Sequence, residues 1–151
     1  MRLFKLKIIF PALFLLLNAC AGASNSTDKV TIDGVNLSLN NKSCELMIGN
    51  EKLSIKEMEP SCFFVKNSAS GKTDSKYYDD IGANVLLVVG TISLKDKEYP
   101  LTLKRNDCGT QIQALILKKG KPTLSKVSSN TLICAGVGTD EKMFYILSHP
   151  S

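Results

Sequence analysis

Val30-Thr31-Ile32-Asp33-Gly34-Val35-Asn36-Leu37-Ser38-Leu39 is the stretch that decides the fold class. Two short runs of alternating apolar residues flank Asp33-Gly34. That dipeptide suits a type I′ hairpin turn, which needs positive φ at both central positions. The layout repeats at once: Glu45-Leu46-Met47-Ile48, then Gly49-Asn50, then Lys52-Leu53-Ser54-Ile55. Further along, Cys62-Phe63-Phe64-Val65 reads as a short buried strand after Pro60. Val85-Leu86-Leu87-Val88-Val89 is apolar on both faces, as a strand central to a sheet or sandwich must be. A charged turn at 95–98 precedes an alternating run at 101–104, and 111–117 places Ile112, Ala114 and Ile116 on one face. Gly120 and Pro122 mark another turn, with weaker strands expected at 123–127 and 131–134.

The C-terminal part changes period. Thr139 can cap a helix over about 140–148, whose first turn holds Asp140 and Glu141 at the positive end of the helix dipole. Met143, Ile146 and Leu147 share one face of it, with Phe144 beside them. The expected fold is therefore mainly β: a single antiparallel β domain, sandwich or barrel-like, with a short C-terminal helix and two disulfides.

The N-terminal part is of another kind. Arg2, Lys5 and Lys7 precede an apolar run at 8–17, a charged region followed by a hydrophobic one too short to span a bilayer stably. It closes on Leu17-Asn18-Ala19-Cys20. This leader resembles those of bacterial prolipoproteins, which end in a leucine, two small residues and a cysteine. The resemblance implies a signal peptide over 1–19, lipid attached to the Cys20 thiol, and Cys20 as the first mature residue. Ala19, Ala21 and Ala23 also offer small-residue sites to an ordinary secretory signal. Ala21 follows the cysteine where an aspartate would hold such a protein at the inner membrane, so in a Gram-negative envelope the expected address is the outer membrane. Residues 20–28, small and polar, read as a flexible tether to a domain over 29–151.

Charge narrows the partners. Of 19 Lys and Arg, three lie in the leader, leaving 16 against 14 acids, or about +2 in place of the whole chain's +5. Nucleic acid is not expected as a ligand. Besides Cys20 there are Cys44, Cys62, Cys108 and Cys134, an even set that an oxidising compartment would pair. Four cysteines allow three pairings. Cys44–Cys62 with Cys108–Cys134 encloses the shortest loops and is the one favoured. No Cys-x-x-Cys spacing occurs, so neither a structural zinc nor any other metal or cofactor is expected.

Catalytic patterns are weak. His149, the sole histidine, lies close to the C-terminus, where a solvated, frayed side chain is expected. With the thiols oxidised or acylated, no thiolate remains as a nucleophile. Glu57, Glu59, Asp79 and Asp80 are the acids available for a wall-cleaving carboxylate pair, but acids in a sequence so rich in lysine are usually solvated surface, and that is the expectation here. Gly136-Val137-Gly138 between a strand and a helix lacks the third glycine and the lysine of a phosphate loop, and is better explained as a tight connection. Asn25, Asn36 and Asn41 begin glycosylation sequons, which a bacterial leader discounts.

The longest stretch without periodicity is 66–82. Loops of that length in a small domain are often functional. Lys72, Lys76, Tyr77, Tyr78, Asp79 and Asp80 within it combine rigid amphipathic area with steering charge, which suits a protein partner; a solvated loop with Tyr77 and Tyr78 packed on the sheet edge accounts for them equally well. Lys118, Lys119 and Lys121 cluster at a turn, where they guard a sheet edge or meet anionic lipid. In size, leader, bridged β domain and single long loop, the chain resembles small periplasmic lipoproteins that neutralise wall-degrading enzymes and toxins: lysozyme inhibitors and immunity proteins. The resemblance implies a non-enzymatic inhibitor that occludes its partner's cleft. An accessory of a secretion machine or pilus, meeting its partner by a sheet edge or the helix, is the second reading.

Overall fold

A computed structural model of the chain describes residues 27–55, 57–90, 106–129 and 132–149. The leader, Cys20, the expected turn at 95–98 and the expected strand at 101–104 lie outside the described residues. The first four strands form an antiparallel meander: β1 (Thr27–Ile32), β2 (Val35–Asn40), β3 (Glu45–Ile48) and β4 (Glu51–Ser54), in that spatial order. Asp33 and Gly34 both take positive φ, +49° and +76°, as the hairpin reading requires. Across this sheet Leu37 faces Ile48 and Leu39 faces Leu46, so one face carries the buried aliphatic set.

The second sheet is built from β5 (Cys62–Phe64), β6 (Ser75–Tyr78), β7 (Ala83–Gly90), β9 (Gln111–Lys118) and β10 (Lys121–Leu124). β7 lies inside it, paired with β9 on one side and with β5 and β6 on the other. Its two faces belong to different cores. Leu86 and Val88 join Phe64, Leu115 and Leu117 against Leu37, Leu39, Leu46 and Ile48, closing a β-sandwich. Val85, Leu87 and Val89 join Ile112, Ala114 and Ile133 under the helix α1 (Glu141–Ser148), anchored by the fully buried Phe144. The order is thus sheet, sheet, helix, and it explains why β7 is apolar throughout. A small two-stranded sheet of β8 (Cys108–Gly109) and β11 (Ile133–Cys134) completes the described elements.

The disulfides are Cys44–Cys62 and Cys108–Cys134. The first joins the turn between β2 and β3 to β5, cross-linking the two sheets within the sandwich core. The second staples β8 to β11 at directly opposed positions. Beside the first bridge, the buried Asn41 donates through Nδ2 to the Cys62 carbonyl at 2.9 Å and to Asp28 at 3.1 Å. That position buries the asparagine of its sequon, whereas Lys42 and Ser43 stay exposed.

Several boundaries differ from the sequence reading. β1 begins at Thr27, within the expected tether, because Asp28 Oδ2 accepts from the Phe64 N–H at 3.1 Å and so ties the strand to the second sheet. The helix cap is Asp140, not Thr139, its carboxylate accepting from the Lys142 N–H. Ile146 points to solvent, 53% exposed, since Phe144 and Ser148 set the buried stripe. β10 stops at Leu124, and Ser125 then bonds Ala114 through both its N–H and its hydroxyl. The stretch 66–82, read as aperiodic, contains strand β6. No described helix is long and apolar enough to cross a membrane.

Candidate functional site

The register around β7 exposes the origin of the long loop. Phe64 is opposite Val88, the Val65 N–H donates to the Leu87 carbonyl at 2.9 Å, and Ser75 is opposite Leu86. β5 and β6 are therefore two halves of one edge strand, and residues 66–74 are looped out between them with no loss of register. Sequence reading missed this because alternation is interrupted at Lys66 and resumes only at Ser75.

The excursion is a small hairpin with its own supports. Lys66 pairs with Thr73 across its base, and the Asn67 N–H donates to the Lys72 carbonyl at 2.8 Å. At the tip the Asn67 carboxamide oxygen accepts from the N–H groups of Ala69 and Ser70, an Asx turn that lets the chain reverse. Gly71 closes the reversal at φ +66°. Its base is held from two sides: the Lys66 N–H donates to the Ala135 carbonyl, and the Lys66 ammonium lies 3.5 Å from Asp28. Gly138, at φ +84°, passes so close that a Cβ would stand 2.9 Å from the Lys66 carbonyl oxygen. Close approach to the hairpin base, and not anion binding, accounts for this glycine. Residues 68–72 are exposed. A cleft of about 440 Å³ separates the hairpin from β1, and one of about 300 Å³ separates its root from Val137, Gly138 and Thr139.

The six residues singled out in 66–82 divide between two roles. Lys76 and Tyr78 alternate onto the helix side of β6. The Lys76 ammonium lies 3.5 Å from Asp74 and 5.8 Å from the Phe144 ring centroid. The Tyr78 hydroxyl donates to the Glu141 carbonyl at 3.3 Å, and its ring meets Tyr145 edge-on at 5.7 Å. Burial, then the negative charge of Glu141 and Asp80 and the nearby Tyr145, raises the Tyr78 pKa above its ordinary 10.0. Asp80 binds His149 Nε2 at 3.0 Å. Lys72, Tyr77 and Asp79 face solvent, Tyr77 being 58% exposed.

His149 is accordingly not frayed. It stacks on Tyr145 at 4.0 Å, stands edge-on to Tyr78 at 5.3 Å and is gripped by Asp80, so these rings lock the helix end to the turn after β6. Ser148 Oγ lies 2.9 Å from Nδ1, which gives an Asp80–His149–Ser148 chain of contacts. That chain is not arranged for nucleophilic attack. Nδ1 also faces the Tyr145 carbonyl at 2.9 Å, an acceptor, and the Ser148 hydroxyl donates its proton to the Phe144 carbonyl at 2.7 Å. Of the acids, Glu59 lies far from Asp79 and Asp80. Glu59 flanks the Gly90 end of β7, whereas Asp79 and Asp80 precede its Ala83 end. Seven strand steps separate these ends by about 23 Å, against the roughly 5–9.5 Å that glycosidic cleavage needs. The described residues hold no group of three or more His, Cys, Asp or Glu side chains placed to bind a metal ion.

Fold and site together define a disulfide-bridged two-sheet β domain, helix-backed, with a hairpin excised from an edge strand. No family model, curated protein or solved structure matches the chain.

Proposed function

We propose that the chain is a non-enzymatic envelope lipoprotein: exported, anchored by acylated Cys20 with its domain facing the periplasm, and acting as an inhibitor or immunity-type protein. In a Gram-negative cell its membrane is the outer one. The observation that carries the reading is the looped-out hairpin at 66–74. An insertion that leaves the strand register intact projects an exposed, polar tip, turned by its own hydrogen bonds, while the scaffold bears the folding load. Its tip, with Lys72 at one corner, enters or covers the partner's cleft, and the exposed Tyr77 and Asp79, further along the same edge of the sheet, extend the contact. The leader and the two bridges, suited to an oxidising compartment, support the address. The second reading, an assembly accessory, draws on Val137, Tyr145 and Ile146, apolar side chains exposed on or beside the helix.

The test is affinity capture from envelope extract with the chain and with a variant in which Ser68–Gly71 is replaced by Asn-Gly and Lys72 by Ala. Loss of the captured protein from the folded variant supports the inhibitor reading. Undiminished capture, lost instead on Ile146→Asp, moves the contact to the helix and favours the accessory.

A further inference from the structure

The helix α1 does not cover the whole outer face of the second sheet. Beyond its C-terminal end lies a groove of about 430 Å³, floored by Ile81, Ala83 and Ile116 and rimmed by Lys118, Lys119 and Lys121. Ser148, at the last turn of the helix, closes one end, and Thr123 on the edge strand β10 lines the other side. The volume lies within the range of roughly 300–1,000 Å³ that takes a small molecule. Among the described residues no acid lines it, and none of the three lysines forms an ion pair with a described residue. The lysines are held together by a tight hairpin turn in which Lys119 and Gly120 take φ +49° and +75°.

Two features ask for one kind of ligand. Ile81 and Ile116 are only partly buried at the edge of the second core, so the apolar floor favours a hydrocarbon. Three ammonium groups at its edge, without an ion-pair partner among the described residues, favour an anion. We propose that this groove binds a single-chain amphiphile with an anionic head, a long-chain fatty acid: the alkyl chain lies over Ile81, Ala83 and Ile116, and the carboxylate meets Lys118, Lys119 and Lys121. Each methylene buried adds about 0.8 kcal/mol, so affinity rises with chain length. The site shares no residue with the 66–74 hairpin and does not depend on its function.

The test uses the full chain in neutral phosphatidylcholine vesicles, irradiated with a diazirine-bearing dodecanoate, and maps the label by peptide mass spectrometry. Label is expected on the peptides carrying Ile81, Ala83 and Ile116. Unlabelled dodecanoate should displace it and dodecyltrimethylammonium should not, because the lysines select the head. Thr123→Trp, which fills the groove from an edge strand, should abolish the label. Replacing all three lysines by Gln should weaken binding about tenfold, the effect of three exposed charges. Label scattered over the surface, or equal displacement by the cationic amphiphile, overturns the proposal without recourse to any variant. So does association that tracks the anionic phospholipid content of the vesicles with no label in the groove, which would assign the lysines to the membrane surface.

Discussion

The two flanks of β7 solve the same pairing problem differently. On one side β9 runs opposite it without interruption, from Asn84–Leu117 to Gly90–Gln111. On the other, the matching strand is split into β5 and β6, and 66–74 leave the sheet between two consecutive β7 partners, Leu87 and Leu86. Both flanks feed the sandwich core, β9 through Leu115 and Leu117 and the split strand through Phe64. The difference teaches that pairing and projection are separable here. Core side chains and the Cys44–Cys62 bridge hold the split strand in place, which frees the excursion from any structural duty in the sheet.

The sharpest way to break that comparison is to damage both flanks equally. Leu115→Ala on β9 and Phe64→Ala on β5 remove fully buried side chains from one core, and each should cost about 2–5 kcal/mol in denaturant unfolding. A much smaller loss for Phe64→Ala would mean that the split strand is merely draped over the core. Next in size is the bridge that fastens the split strand. Replacing Cys44 and Cys62 together by Ser should cost about 3 kcal/mol through the freed loop, read as a lower thermal midpoint. Shortening the excursion, with Asn-Gly in place of Ser68–Gly71, should change stability by no more than about 0.6 kcal/mol, since loop closure depends weakly on length. A cost comparable to Phe64→Ala would show the hairpin to be part of the fold.

The smallest effect concerns where the split strand meets the helix. The Tyr78 hydroxyl keeps its proton above the ordinary 10.0 because burial and neighbouring negative charge disfavour the phenolate. Its support of the helix is complete below pH 10 and fades as the pH rises through the raised value. Ultraviolet titration of the tyrosines should therefore end in a late step that Tyr78→Phe removes. If that variant leaves the profile unchanged, the contact with Glu141 does not persist in solution.

Local chemistry made some regions readable and left others obscure. Asp33-Gly34 and the β7 run follow from turn stereochemistry and hydrophobic period, both local properties; chain proximity favoured the observed disulfide pairing, but only the folded chain chose it among three. The split strand did not announce itself, because its halves are three and four residues long and are brought into line by pairing with the distant β7. Lys76 and Asp80 read as loop charges and Tyr78 as either a partner contact or sheet-edge packing, yet all three face α1 or its C-cap, more than sixty residues later in the chain. His149 illustrates the same limit: nearness to a terminus suggested fraying, and only the rings of Tyr78 and Tyr145 together with Asp80 make it fixed.

By itself, then, the order of residues determined a mainly antiparallel β protein with a terminal helix, because hairpin turns and side-chain alternation act between near neighbours. Tertiary structure alone decided that β7 serves two cores, that 66–74 stand clear of an unbroken register, and that Ile81, Ala83 and Ile116 meet three lysines at one groove. Those outcomes depend on which distant strands share a face, and burial of apolar surface settles that only when the whole domain has closed.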